Sequence, residues 1–265
     1  MYEPHYGLKE RPFGETLSPS VYVALPSRDA VLRRLHYTLV HDRGPAMLIG
    51  PPGSGKTIIA RRLASELSTL PVHLTFPTLS PAELLAHLAH EFGRPALTDP
   101  SPHVALRYLR DHFALMANRG DRSLLVVDDA HLIAEPKTFD TLRLLLNFNS
   151  AGNPDLSLLL VGGPELLLDL PASLADRIAA QCLLGPLTQE ESASYVLGRL
   201  GTSDARDHVF TQGALTSLHY AADGLPRRLN RLADLALLIA YARDLNSVDD
   251  SIVQIAAREF ERDAA

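Results

Sequence analysis

The sequence predicts an α/β fold, with a parallel sheet covered by helices on both faces and a small all-helical domain behind it. Three observations predict it. Between residues 27 and 187, short apolar runs of strand length alternate with longer segments of helical period. The first run, Ala46–Ile49, passes through Gly50-Pro51-Pro52-Gly53-Ser54-Gly55-Lys56-Thr57 into a helical segment, the strand–loop–helix order that a phosphate-binding loop requires. From Thr188 onward only helical patterns remain.

The elements follow in order. Residues 1–26 carry Tyr2, Pro4, Tyr6, Pro12, Phe13 and Pro19, and read as an extended segment packing on the core. Tyr6 or Phe13 would serve there as an adenine cover or as simple packing. Ser27-Arg28-Asp29-Ala30 opens a helix with Ser27 as its cap, Asp29 at the positive end, and Val31, Leu32, Leu35 and Leu39 on the buried side. Gly44-Pro45 stops it before the strand Ala46–Ile49. The helix after the phosphate loop keeps Arg61 and Arg62 away from its apolar side.

A second strand is expected over Pro71–Pro77, then a helix opened by the capping box Ser80-Pro81-Ala82-Glu83. A loop from Arg94 to Pro102 precedes a helix over Val104–Asn118. The strand Ser123–Val127 ends in Asp128-Asp129. A helix bearing Leu142, Leu144, Leu145 and Leu146 leads to a turn at Gly152-Asn153-Pro154 and the strand Leu156–Val161. Gly162-Gly163-Pro164 ends that strand, Glu165–Leu170 is a short helix, and Cys182-Leu183-Leu184 is the last core strand. A boundary near Leu187 separates an α/β nucleotide-binding domain, 27–187, from a helical lid domain, 188–265. The latter starts with a capping box, Thr188-Gln189-Glu190-Glu191, and has helices near Gln212–Ala222, Pro226–Ala242 and Asp249–Glu261.

Composition narrows the function. With 265 residues, 46% of them hydrophobic, the chain can bury one large core or a large and a small one. The net charge of −6 provides no global field toward nucleic acid or an anionic membrane. The single cysteine, Cys182, excludes an internal disulfide framework, suits a reducing cytoplasm and sits in an apolar stretch as a structural thiol. Met1–Tyr6 has no basic or apolar signal pattern, and the apolar segment Leu232–Ala242 contains Asp234 and is too short to cross a bilayer. A cytoplasmic protein without a membrane span is expected.

The chemistry lies in two motifs. Glycines let the loop Gly50–Thr57 curl so that successive backbone N–H groups face phosphate oxygens, with the next helix adding its positive end. Lys56 reaches the β- and γ-phosphates, and the Thr57 hydroxyl ligates Mg²⁺. Downstream, Asp128 at the tip of an apolar strand would hold the same Mg²⁺, directly or through water, and Asp129 would face the attacking water. ATP and Mg²⁺ are therefore the expected ligands. No other histidine, cysteine or serine arrangement has catalytic or metal spacing.

With both motifs and the helical tail in place, the chain resembles AAA+ ATPases. More narrowly, it resembles the ATPase of general secretion pathway protein A and the related pilus-biogenesis and transposition-associated ATPases. The similarity covers nearly the whole chain. Its marks are Tyr6-Gly7-Leu8-Lys9-Glu10-Arg11-Pro12-Phe13, Leu142–Phe148, Leu160-Val161-Gly162-Gly163-Pro164-Glu165-Leu166, Leu184-Gly185-Pro186-Leu187-Thr188 and Gly224-Leu225-Pro226-Arg227-Arg228-Leu229-Asn230. The resemblance implies that Arg227 is a sensor reporting the γ-phosphate to the lid. It also implies that Arg177 acts as a finger into a neighbouring subunit's site; a surface ion-pairing residue is the other reading of Arg177. Either guanidinium can bind two phosphate oxygens.

Two positions depart from the family pattern. Asp129 stands where the family has Glu, and its carboxylate falls about 1.5 Å short, a misplacement that costs on the order of 100-fold in rate. Gly163 stands where the family often has Gln, so no side chain contacts the γ-phosphate from there; Asn147 or Asn149 are the substitutes at hand.

Three functions follow. One is an ATPase that assembles as a homo-oligomeric ring or filament and remodels a secretion- or pilus-type envelope assembly through an unknown protein partner. The family's secretion members carry a peptidoglycan-binding segment and a membrane span. This chain ends at Ala265 with neither, so it is expected to act from the cytoplasm. The second is an ATP-gated scaffold with slow or no hydrolysis. The third is a DNA-associated regulator using Arg227, Arg228 and Arg231; the negative net charge and the missing DNA-binding module leave it unfavoured.

Overall fold

A computed structural model of the chain describes residues 1–263 apart from 15–17, 42, 68–69, 94–100, 151–154 and 202–208. Most of the loop expected from Arg94 and the turn at Gly152-Asn153-Pro154 lie outside the described residues. The chain divides into two compact units. One comprises Ala30–Pro51 and Lys56–Leu184; the other comprises Met1–Asp29, Pro52–Gly55 and Gly185–Ala265.

The first unit is built on five parallel strands: β1 (Ala46–Ile49), β2 (Leu70–Leu74), β3 (Ser123–Val127), β4 (Leu156–Gly162) and β5 (Ala180–Leu183), in the order β2-β3-β4-β1-β5. Strands β1 and β3 are buried at every residue, as apolar runs covered on both faces must be. The edges show their place in the residues. Strand β5 alternates buried and exposed positions. Strand β2 contains Pro71, which lacks an N–H to give and is tolerated where only one neighbour pairs.

Helix α1 (Pro26–Val40) starts one residue before the expected cap, so Ser27 lies within its first turn and its N–H donates to the Glu191 carboxylate, 2.9 Å away. Helices α2 (Lys56–Glu66), α3 (Pro81–Glu91), α4 (Pro102–Asn118) and α5 (Pro136–Leu145) follow, with two single-turn helices, α6 (Leu166–Asp169) and α7 (Ala172–Ala175), before β5. The capping box at the start of α3 is present, with Ser80 and Glu83 exchanging bonds. Apolar residues of α3, α4 and α5 close one core over the sheet, including Leu88, Leu109, Phe113 and Phe139.

The second unit holds α8 (Gln189–Leu200), α9 (Gln212–Ala222), α10 (Pro226–Ala242) and α11 (Asp250–Asp263). Its core takes in the N-terminal segment: Tyr2, Tyr6, Leu8 and Phe13 are buried in the same cluster as Leu218, Leu229, Leu232, Leu237 and Ile252. Asp234, in the middle of apolar α10, accepts bonds from the Tyr2 hydroxyl and the Arg11 guanidinium. Burial alone would raise the Asp234 carboxyl; the bonds from Arg11 and Tyr2 outweigh it and bring its pKa below the usual carboxylate value. Burial and the Asp234 charge together push the Tyr2 hydroxyl well up. Among the described residues no helix is long and apolar enough to cross a membrane.

Candidate active site

The sheet order sets three strand ends side by side. In register, Ile49 stands opposite Gly162, and Val127 stands opposite Leu160, so the chain leaves β1, β4 and β3 at one edge of the sheet. The Gly50 N–H donates to the Gly162 carbonyl at 3.2 Å, which fixes where the phosphate loop departs. Helix α2 opens at Lys56, so the loop's last two residues sit on a helix start. The Thr57 hydroxyl donates to Asp128 Oδ2 at 2.8 Å. Asp128 is nearly buried; its other oxygen accepts the Asp129 N–H at 3.1 Å. Lys56, also nearly buried, turns its ammonium onto the loop carbonyls of Gly50 and Pro51, at 2.8 and 3.1 Å.

The donors fit Mg²⁺ and a triphosphate. A hydroxyl and a carboxylate held together are the hard oxygen ligands that Mg²⁺ takes, and Lys56 supplies a compact positive charge beside them. Gly53 (φ +80°) and Gly55 (φ +98°) take the backbone turn that L side chains resist, which the curled loop needs. Ser54 Oγ is buried with no hydrogen-bond partner among the described residues, a polar atom left for something the chain does not itself provide.

In the second unit the middle of the loop is held by two helix starts. The Arg227 N–H, in the first turn of α10, donates to the Gly53 carbonyl at 3.2 Å. A Cβ on Gly53 would come within 3.0 Å of the Arg227 Cβ, so only glycine allows the approach. The Arg227 guanidinium has no bonding partner among the described residues and is exposed. Arg28, from α1, donates to the Ser54 carbonyl.

Asp129 sits in a left-handed conformation (φ 49°, ψ 39°) at the tip of β3, a backbone that Asp tolerates better than most residues. Its carboxylate is exposed and makes no capping bond. Two neighbours have contacts that the sequence does not give. His131 Nδ1 accepts the Gly163 N–H at 3.2 Å, so the histidine after the acidic pair fastens the end of β4; the bond requires the tautomer protonated on Nε2. The Glu165 carboxylate lies directly where a side chain on residue 163 would go. Gly163 is bare, yet the space beside it holds a carboxylate. Glu165 reads in sequence only as the opening of a short helix.

Arg177 is elsewhere. Its guanidinium donates to Asn147 Oδ1 at 2.9 Å and to the Arg143 carbonyl. With Arg43 it lines a pocket of about 270 Å³ beside Pro45 and Leu156, at the amino-terminal ends of β1 and β4, the edge opposite Gly50. Arg177 is thus not brought to the phosphate loop of its own chain. Asn147 is engaged by Arg177. Tyr6 and Phe13 are buried in the helical core, where Tyr6 donates to the Leu245 carbonyl and Phe13 meets Phe210 edge-on, so neither ring is presented to a ligand.

A parallel sheet in this order, a glycine-curled loop on β1 and a strand-tip aspartate on β3 make up the P-loop fold of the AAA+ class. A family described as AAA domain matches residues 39–168. The chain is 33% identical, over 98% of its length, to general secretion pathway protein A of Aeromonas hydrophila, and spans about half (48%) of that relative. Among solved structures it is similar in fold to Cdc6p of Pyrobaculum aerophilum (TM-score 0.75, 21% identity, covering 95% of this chain and 71% of that one). It is also similar to the ORC1 protein of Aeropyrum pernix, solved in complex with DNA (TM-score 0.71, 21% identity, 97% and 70%). A third is the RuvB Holliday junction branch migration motor of Thermotoga maritima (TM-score 0.65, 17% identity, 91% and 73%).

Proposed function

We propose that the chain binds Mg-ATP on Gly50–Thr57 and hydrolyses it to drive conformational change in a homo-oligomer serving a secretion- or pilus-type envelope assembly. Residues 27–187 act in this reading as the nucleotide-binding domain and 188–265 as the helical domain. The bond between Thr57 and Asp128 carries it: two motifs far apart in sequence meet at the oxygen pair a magnesium–phosphate site needs. Thr57 and Asp128 would hold Mg²⁺, which supplies charge to neutralise the phosphate oxygens. Lys56 binds the β- and γ-phosphates, Asp129 orients the attacking water, and Arg227 contacts the γ-phosphate. Arg177 serves a neighbouring copy's site. The envelope role is supported by the relative of Aeromonas hydrophila, half of whose length this chain spans.

The test is Lys56→Ala. ATP binding by calorimetry and phosphate release should both fall at least tenfold, and any growth in particle size seen by light scattering with Mg-ATP should disappear. Unchanged binding would remove the loop from the site.

A second reading, slow turnover in an ATP-gated scaffold, is favoured by Asp129 and by the carboxylate of Glu165 standing over bare Gly163. Binding to DNA draws less support, because Arg228 pairs with Asp223 and so is spent within the chain.

A further inference from the structure

Arg28 is a buried arginine, 6% exposed, with no carboxylate at salt-bridge distance among the described residues. A desolvated guanidinium normally pairs with an acid. This one is spent on backbone carbonyls: its Nη2 donates to Gly185 at 2.8 Å and to Ser54 at 3.3 Å, and its Nη1 to the Ser27 hydroxyl at 3.2 Å. The acid near it, Glu191, is turned to other work, accepting the Ser27 N–H and the Thr188 N–H.

The acceptor at Ser54 matters because of where it lies. Ser54 stands between the two positive-φ glycines of the phosphate loop. No peptide in the described chain is cis, so each carbonyl and the N–H of the same peptide point in opposite directions. Drawing the Ser54 carbonyl toward Arg28 therefore turns the Gly55 N–H to the other side. The adjoining peptide is fixed in the same sense, since the Arg227 N–H holds the Gly53 carbonyl and so aims the Ser54 N–H. Two consecutive peptide planes, flanked by residues with no side chain to restrain them, are oriented from outside. Glycine makes the loop permissive; something else must make it single-valued.

We propose that Arg28 is a positioning residue for nucleotide binding: by holding the Ser54 carbonyl it presets the Ser54–Gly55 peptide so that its N–H group faces the phosphates. The proposal rests on the reading of Gly50–Thr57 as the ATP loop. Arg28 touches no phosphate itself. Its contribution is the ordering of the cradle before the ligand arrives, so it acts on affinity for the phosphate chain and not on the adenosine part.

The experiment compares wild type, Arg28→Gln, Arg28→Lys and Lys56→Ala in the whole chain. Calorimetry reads the dissociation constant for ATP, and competition reads that for adenosine. Removing a charged donor from a carbonyl should raise the ATP constant about tenfold in Arg28→Gln, with adenosine unchanged. Arg28→Lys, which keeps a donor, should fall between. Circular dichroism confirms that each variant is folded. Should Arg28→Gln fail to fold, Arg28→Lys carries the test through the same ATP-to-adenosine contrast. An ATP constant equal to wild type in a folded variant overturns the proposal, as does an equal loss for ATP and adenosine. If Lys56→Ala binds ATP as wild type does, the loop assignment has failed instead; if Lys56→Ala loses ATP and the Arg28 variants do not, the loop stands and Arg28 is only a structural residue.

Discussion

At the residue scale, the proposed ATP turnover puts different demands on the two carboxylates at the end of β3. Asp128 accepts from the Thr57 hydroxyl and from a backbone N–H, which suits the Mg²⁺ role proposed for it. Asp129 alone at the tip of β3 has an exposed, uncapped carboxylate, and it is one methylene shorter than the glutamate usual there. Asp129→Glu should raise the single-turnover hydrolysis rate about tenfold or more with ATP affinity unchanged; a slower variant, read by quenched-flow phosphate release, would refute the argument from reach. Both acidic residues were legible in sequence, because an apolar run ending in paired carboxylates has few other uses. The contacts of Arg28, His131 and Glu165 were not. Each is a polar residue at a helix start or strand end, where exposure is the usual state. Only the fold shows that Arg28 is buried, that His131 receives the Gly163 N–H, and that Glu165 leans over Gly163.

At the scale of elements, local pattern and observed structure agree where one segment can satisfy itself. Strands β1, β3 and β4 stand on the apolar runs that predict them, β2 and β5 overlap theirs but begin one and two residues earlier, and the capping boxes at Ser80 and Thr188 close as their spacing requires. Thr188 accepts the Glu191 N–H at 3.2 Å and Glu191 returns a bond to the Thr188 N–H. Thr188→Ala should therefore cost about 1 kcal/mol of stability, visible as a lowered urea midpoint at unchanged slope. Strand order was beyond the sequence. The order β2-β3-β4-β1-β5 inserts β4 between β3 and β1, and that insertion, a non-local fact, is what brings Gly162 and Gly163 between the phosphate loop and Asp128. Register likewise depends on partners that a run of valines and leucines does not name.

At the scale of the whole molecule, the helical unit has a device that responds to acid. The helical unit ties its first residues to α10 through one carboxylate, with Tyr2 and Arg11 both donating to Asp234. Asp234 has a depressed pKa in the folded state, so its stabilisation is complete above its unfolded value of about 3.9 and is lost as pH falls through the lower folded value. Asp234→Asn should cost about 1–2 kcal/mol at pH 7, and the gap from wild type should narrow at pH 3 in urea unfolding. A gap independent of pH would mean that packing, not charge, is what the substitution disturbs. The tail of the sequence announced its helices by period alone. Nothing in it announced that Tyr2, Tyr6 and Phe13 would join them, because an extended segment carries no period from which a docking face can be read.

The grouping of Pro52–Gly55 with the helical unit bears on how the protein can be dissected. A boundary near Leu187 looks like a natural place to cut, and residues 27–187 contain every residue of both motifs. Such a fragment would keep the motifs and lose their support. Gly53 would be left without the Arg227 N–H, and Leu187 without the Gly224 carbonyl that its own N–H reaches at 2.9 Å. The shortest piece that retains a complete loop is set by backbone bonds reaching as far as residue 227, so an excised α/β fragment is a poor stand-in for the enzyme in any nucleotide assay.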